Sequence, residues 1–115
     1  NEMACRVHNS GHWTIEGAET SQFSNHVRAV MGLPLGSTAV SGSSAMLNLI
    51  GEVPDLSMFE TRPDVHVHVY GKTPEPGRKL GHVTVEGRDA ESVEAVLAEV
   101  LAVTGDRSAV GDLER

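Results

Sequence analysis

Apolar residues recur at helical spacing in two stretches of the chain. The first stretch follows Thr20 and Ser21, either of which can cap a helix, and it stops at Gly32. The apolar stripe of this stretch consists of Phe23, Val27, Val30 and Met31. The second stretch follows Asp89 and stops at Gly105. Its stripe consists of Val93, Val96, Leu97, Val100 and Leu101. The pattern predicts two helices, and we expect the first stripe to be core rather than a binding site.

Three shorter stretches have the patterns of β-strands. They span residues 45–50, 65–70 and 81–86, and the last two alternate between apolar and polar positions. A loop rich in proline and glycine at residues 72–77 separates those two, so an antiparallel hairpin is the simplest pairing. A few strands packed by one or two helices predict an α+β fold.

Composition narrows the class of protein. The chain has 115 residues and a formal net charge of −7, which suits one modest core. The excess of acids and the scarcity of aromatic residues argue against nucleic-acid binding, and no apolar run reaches the ~20 residues of a membrane span. The single cysteine, Cys5, suits the reducing cytoplasm. Because the chain opens at Asn1 inside a pattern that needs preceding residues, we expect a piece of a longer protein.

Polar side chains crowd the first twelve residues. Glu2 offers a carboxylate oxygen of the kind that binds Mg²⁺, and Arg6 offers a planar fork of donors for a small oxyanion. His8 and Asn9 can orient that anion or a proton, and His12 belongs to the same cluster. The alternative is a polar loop beside a glycine turn, with no chemical role.

A second cluster lies in and after the proline-rich loop. Lys72, Arg78 and Lys79 place three of the nine basic residues of this acidic chain within eight positions. Gly77 lets backbone N–H groups approach a ligand closely, and the basic side chains can grip a phosphate. The spacing differs from that of a Walker loop. A solvated basic turn is the alternative.

Three histidines form a third candidate. His66 and His68 share one face of a predicted strand, as metal ligands sometimes do, and His82 lies on the next strand. No cysteine or aspartate nearby completes a ligand set, so we expect these histidines to face solvent or to line a site.

Several motifs occur in an order that is typical of one enzyme family. They include Arg6-Val7-His8-Asn9 and Pro76-Gly77-Arg78-Lys79-Leu80-Gly81-His82, and they cover residues 1–14, 20–23, 26–30, 32–36, 46–51, 66–72 and 76–83. In this order they resemble the N5-carboxyaminoimidazole ribonucleotide synthetases, which are ATP-grasp enzymes of purine synthesis. The likeness runs from residue 1 to about 86, and the last helix fits by position.

The resemblance implies a reaction and a domain order. These enzymes make carboxyphosphate from ATP and bicarbonate, and the amine of aminoimidazole ribonucleotide then takes the CO₂ unit. Residues 1–34 would be the tail of the ATP-grasp domain, 35–44 a linker, and 45–115 a small β-rich domain, the remnant of a single-hybrid barrel, with a terminal helix. The ATP lysines lie upstream in the family, so we expect the chain alone to be inactive. A cytoplasmic homodimer is the expected setting.

The resemblance also assigns roles to residues. Asn1 and Glu2 would belong to the ATP site, with Glu2 on Mg²⁺. The bicarbonate or carboxyphosphate pocket would be lined by Arg6, His8 and Asn9. The phosphate of the nucleotide substrate would be faced by Lys72, Arg78 and Lys79. Two positions depart from the family pattern, since Cys5 stands where proline is usual and Glu75 where arginine is usual.

Two other functions fit parts of the pattern. A sister family of formate-dependent ATP-grasp transformylases shares the Asn-Glu and Arg-x-His passages, but it reads Asp-Thr-Gly where this chain has Asn9-Ser10-Gly11. A non-enzymatic module that binds a phosphorylated metabolite through Arg78 and Lys79 is the third possibility.

Overall fold

The computed structural model describes residues 3–105, which fall into two compact units. The N-terminal unit is Asn1–Ser41 and the C-terminal unit is Gly42–Arg115. Asn1 and Glu2, which were assigned to the ATP site, lie outside the described residues, as does the stretch 106–115. The division falls within the stretch 35–44 that is expected to be a linker.

The N-terminal unit contains two helices, α1 (Thr14–Gly17) and α2 (Gln22–Val30), preceded by a 3₁₀ turn at Asn9–Gly11. The predicted helix is confirmed as α2, and its cap is Ser21, whose side chain accepts a hydrogen bond from the Ser24 amide. This bond satisfies one of the amide groups that the first turn of a helix leaves unpaired.

Three of the four residues of the first apolar stripe are exposed, which contradicts the prediction that the stripe is core, whereas Phe23 is half-buried. Val30 is 73% exposed, and Val27 and Met31 are also exposed. Gly17 is the only buried residue among positions 3–41, so the unit offers no apolar core for the stripe to join. Helical periodicity reports which residues share a face, and it carries no information about what covers that face.

The C-terminal unit is a three-stranded antiparallel sheet with one helix. The strands are β1 (Ser43–Ile50), β2 (Val65–Val69) and β3 (Lys79–Gly87), in the order β1-β3-β2, and the helix α3 is Ala90–Thr104. The predicted hairpin is confirmed, because β2 pairs with β3 in antiparallel register. The α+β class, the β-rich C-terminal unit and its terminal helix are likewise confirmed.

Local signals in the sequence fix both ends of α3. The Asp89 side chain accepts a hydrogen bond from the Ser92 amide at 2.8 Å, and Gly105 ends the helix with a φ of 72°. Such a φ favours glycine because a side chain there is strained. The helix packs its apolar stripe on one face of the sheet and builds the core with Ala45, Leu47, Leu49, Val83, Val85, Val93, Leu97 and Val100.

The opposite face of β1 and β3 is also buried, although it carries polar residues beside Met46 and Leu80. His82 and Ser44 are each 1% exposed, and Thr84 is fully buried. Of the two expected settings for His82, facing solvent or lining a site, its burial excludes the first. Alternating hydrophobicity cannot distinguish a polar residue in water from one that is buried in the sheet.

Among the described residues, no helix has both the length and the apolar character needed to cross a membrane.

Candidate functional site

The first cluster folds into one short loop of the N-terminal unit. His8 caps the 3₁₀ turn: its Nδ1 accepts a hydrogen bond from the Ser10 amide at 3.2 Å and lies 2.7 Å from the Ser10 hydroxyl. Arg6 is exposed, and its Nη1 donates to the carbonyl of Val7 at 3.2 Å. Arg6, His8 and Asn9 thus lie on one short loop, in which the side chain of His8 caps the 3₁₀ turn.

Asn9 is the most distinctive member of this loop. Its side-chain oxygen Oδ1 is shielded from solvent and accepts no hydrogen bond from the described residues. An acceptor that is both buried and unsatisfied costs about 1–3 kcal/mol. A donor group on a ligand would remove that cost, so the Asn9 oxygen marks a place where a hydroxyl or N–H is favoured.

A residue outside the predicted set holds this loop in place. Gln22, the first residue of α2, accepts a hydrogen bond from the His8 amide through Oε1 at 3.0 Å. Its Nε2 donates to the His8 carbonyl at 2.6 Å. Gln22 lies inside one of the motifs that carry the family resemblance, but no spacing rule links it to a residue fourteen positions earlier.

The second cluster forms a loop between β2 and β3. Lys72 donates to the carbonyl of Lys79 at 3.2 Å, so the two lysines meet where the loop begins and ends. Arg78 donates from Nη1 to the carbonyl of Thr73 at 3.1 Å. The predicted phosphate-binding residues Lys72, Arg78 and Lys79 therefore lie together. Gly77 has a φ of 75°, which the tight turn at this point requires.

Glu75 lies in the same loop and faces Arg78. Its Oε1 is 3.7 Å from Arg78 Nη1, and both side chains are substantially exposed. The carboxylate is therefore paired with one of the cations that were predicted to bind phosphate. Glu75 competes with any anionic ligand for Arg78.

Residues 70–78 between β2 and β3 form what we call the basic loop. A contact between Tyr70 and His82, which no pattern in the sequence predicted, anchors this loop to the sheet. The hydroxyl of Tyr70 lies 2.6 Å from His82 Nδ1, and the ring of His82 stacks on that of His68 with centroids 4.5 Å apart. Burial raises the pKa of Tyr70, so the phenol stays protonated. Lys72 Nζ lies 5.6 Å from the centre of the Tyr70 ring, which is within the range of a cation–π contact.

The histidines do not assemble a metal site. His66 Nε2 is 3.5 Å from Glu86, whereas His68 and His82 stack on each other. Within residues 3–105, no three histidine, cysteine, aspartate or glutamate side chains lie where they could hold one ion. Glu2, the residue assigned to Mg²⁺, is outside this range.

Two family models match the chain, in the order that the motifs predict. An ATP-grasp domain matches residues 1–23, and the phosphoribosylaminoimidazole carboxylase C-terminal domain matches residues 44–96. The chain is 59% identical over 103 residues to the N5-carboxyaminoimidazole ribonucleotide synthase of Pseudomonas aeruginosa, an alignment that covers 90% of this chain and 29% of that protein. The chain is thus similar in both of its parts to the N5-carboxyaminoimidazole ribonucleotide synthases.

Solved structures of this synthase family have the same fold. The N5-carboxyaminoimidazole ribonucleotide synthetase of Thermus thermophilus matches with a TM-score of 0.87 and 57% identity, over 92% of this chain and 29% of that one. The synthase of Aspergillus clavatus in complex with ADP and 5-aminoimidazole ribonucleotide matches with a TM-score of 0.77 and 37% identity, over 86% of this chain and 29% of that one. The chain thus spans about 29% of the length of these relatives.

Proposed function

We propose that the chain is part of an ATP-dependent ligase that carboxylates aminoimidazole ribonucleotide. Bicarbonate attacks the terminal phosphorus of ATP and releases ADP, the substrate amine attacks the carboxyl carbon of carboxyphosphate, and inorganic phosphate leaves. High identity to the synthases supports this reaction, as does the relative crystallised with ADP and aminoimidazole ribonucleotide. The proposal includes a cytoplasmic homodimer as the form of the whole enzyme.

The observation that carries the proposal is the loop at residues 6–12. Arg6 provides a permanent charge whose planar donors match a carboxylate or carbonate, and it stands three residues from the shielded oxygen of Asn9. Bicarbonate carries both an anionic oxygen pair and a hydroxyl, so it can accept from Arg6 and donate to Asn9 at once. We assign His8 to the same pocket, because the Gln22 side chain holds both its backbone N–H and its carbonyl by hydrogen bonds.

The loop between β2 and β3 has a separate role in the proposal, which is to bind the nucleotide substrate. Lys72, Arg78 and Lys79 gather three cations in a chain whose net charge is −7, and an anion is therefore drawn to this loop. We assign the phosphate of the ribonucleotide to them. Asn1 and Glu2 are assigned to ATP, and Mg²⁺ held by Glu2 would neutralise phosphate charge when bound.

Kinetics on the longer enzyme that contains these residues tests the proposal. ADP release should require both bicarbonate and aminoimidazole ribonucleotide, and formate should not replace bicarbonate. Arg78→Ala should raise KM for the ribonucleotide roughly tenfold or more, the worth of a charge-assisted hydrogen bond. Arg6→Ala should act through bicarbonate instead, lowering kcat or raising the KM for that substrate.

Arg88→Ala is the matched control, since Arg88 is 89% exposed and lies in neither loop. It should leave both KM values unchanged. ADP release that depends on formate would move the chain to the transformylases. If the longer protein binds the ribonucleotide but does not turn it over, the chain is part of a binding module and not of an enzyme. The 115-residue chain alone should release no ADP, because Glu2 by itself cannot hold Mg-ATP.

A further inference from the structure

Gln22 touches the loop at residues 6–12 at three points. Its amide bonds to both ends of the His8 peptide and also reaches the ring of His12, with Nε2 at 2.7 Å from His12 Nδ1. We infer that Gln22 is a positioning residue that fixes His12 in the tautomer with its proton on Nε2 and its lone pair on Nδ1.

The backbone of His8 settles which way the Gln22 amide points. The His8 N–H can only donate, so the atom that it meets at 3.0 Å must be the amide oxygen. The His8 carbonyl can only accept, so the atom at 2.6 Å from it must be the amide nitrogen. Exchanging the two atoms would oppose donor to donor and acceptor to acceptor, which excludes the flipped amide.

The orientation of the amide then decides the tautomer of His12. An amide nitrogen donates and does not accept, so the His12 nitrogen 2.7 Å away must carry a lone pair. The proton of the neutral ring is therefore on Nε2. The ring itself is steadied by Phe23, with the two ring centres 5.0 Å apart.

The packing around Gln22 shows that the loop is shaped to admit this side chain. A Cβ atom at Gly11 would lie 2.5 Å from Gln22 Oε1 and 2.7 Å from its Cδ, so any side chain at position 11 would displace the amide. The backbone of Gln22 is held as well: its N–H donates to the Thr14 hydroxyl at 2.9 Å, and that hydroxyl donates to the Gly11 carbonyl at 2.5 Å. Gly11 and Thr14 thus constrain both the side chain and the start of α2.

This assignment limits what His12 can do. Protonation at Nδ1 would place two donors 2.7 Å apart and break the contact with Gln22. His12 therefore serves as a hydrogen-bond donor at Nε2 and not as a base at Nδ1. Its use toward bicarbonate or carboxyphosphate rests on the proposed function, whereas the tautomer does not.

Nitrogen-15 NMR of the histidine rings in the 115-residue chain tests the inference directly. At a pH well above the usual histidine pKa, His12 should show a pyridine-type Nδ1 and a pyrrole-type Nε2, with a nitrogen–nitrogen coupling to the Gln22 amide. His26, which is exposed on α2, serves as an internal reference and should show tautomer-averaged shifts. A protonated His12 Nδ1, or His12 shifts equal to those of His26, would overturn the inference.

Variants separate positioning from general packing. Gln22→Ala and Gly11→Ala remove or displace the amide, so both should abolish the coupling and move the His12 shifts toward those of His26. Gln22→Glu keeps the shape but presents acceptors only, so it should draw the proton to Nδ1 of His12. An unchanged tautomer in Gln22→Glu would contradict the inference even if the other variants fail to fold.

Asn25→Ala is the matched control. Asn25 clamps the peptide of Gly36 in the same manner from the next turn of α2, with bonds of 2.8 and 3.3 Å, and does not contact the loop. This variant should leave His12 as in the wild type. The proposed function can fail independently of this inference. If a longer enzyme has the inferred His12 tautomer but shows no bicarbonate-dependent ADP release, the proposed reaction is rejected and the tautomer stands.

Discussion

The two units of the chain differ in what holds their backbone in place. Every buried apolar side chain among residues 3–105 belongs to the C-terminal unit, where α3 covers one face of the sheet. In the N-terminal unit, side-chain amides bind the backbone instead: Gln22 at His8 and Asn25 at Gly36. A core resists local change because many contacts must be lost together, whereas an amide clamp depends on one side chain. The residues proposed to bind bicarbonate thus lie in the N-terminal unit, where single side chains hold the backbone in place.

The largest effect is expected from a cavity in the C-terminal core. Leu47 on β1 is fully buried, so Leu47→Ala should lower the free energy of unfolding by about 2–5 kcal/mol. Urea denaturation followed by far-UV circular dichroism measures the loss. Val30→Ala, at a position that is 73% exposed on α2, is the control and should change stability by about 0.5 kcal/mol or less. Equal losses would show that the two units are not stabilised differently.

A smaller and more local effect is expected from the clamp at Asn25. Asn25→Ala should cost about 1–3 kcal/mol, the net worth of the two hydrogen bonds to Gly36, and should raise amide exchange at Gly36 without speeding exchange in β3. Asn25→Asp is the matched variant, since it can still accept from the Gly36 amide but cannot donate to the Gly36 carbonyl. Its free energy of unfolding should lie between those of the wild type and Asn25→Ala. Faster exchange throughout β3 would mean that the clamp supports more than its own loop.

The elements of the fold could be predicted because their signals are local. Ser21 and Asp89 cap the helices that follow them, and Gly105 ends α3 with a positive φ. What the pattern could not supply is the environment of each face. Three residues of the first apolar stripe were expected to be core and are exposed, and His82, which was expected to face solvent or to line a site, is buried.

The site was predictable in its charged residues but not in the groups that orient them. Arg78 and Lys79 stand out in an acidic chain, and Arg6 precedes a turn. The partners of the Gln22 and Tyr70 side chains lie ten to fourteen positions away along the chain, and only the folded backbone brings them together. No period or spacing rule in the sequence encodes such contacts, so they had to be read from the structure.

Acid should weaken the C-terminal unit through Asp64. Hydrogen bonds from Arg62, which also reaches Glu99 on α3, hold the pKa of Asp64 below its ordinary value. A carboxyl whose pKa is lower in the folded state stabilises the fold above its unfolded pKa, and this stability is lost as pH falls through the folded pKa. The urea midpoint should therefore fall below pH ~4, the ordinary range of an aspartate.

Asp64→Asn should flatten part of this acid dependence. A remainder should persist, because the bond from the Ser92 amide also lowers the pKa of Asp89 at the start of α3. Urea titrations at several pH values below neutrality measure both slopes. An identical slope in Asp64→Asn and wild type would show that the Arg62 contacts do not link pH to stability.

The smallest effect is expected at Glu75, in the second of the two loops to which ligands are assigned. The loop at residues 6–12 orients its residues by clamps, whereas Arg78 in the basic loop is engaged by an exposed carboxylate 3.7 Å away. An exposed pair of this kind contributes about 0–1 kcal/mol, so Glu75→Gln should tighten binding of the ribonucleotide by at most about fivefold.

Glu60→Gln changes the net charge equally from an exposed position outside the loop, and it separates pairing with Arg78 from general repulsion. Calorimetry at low and high salt measures both variants, and the gain in Glu75→Gln should shrink as salt screens the charges. Weaker binding in Glu75→Gln would mean that the pair holds Arg78 ready for the phosphate rather than competing with it.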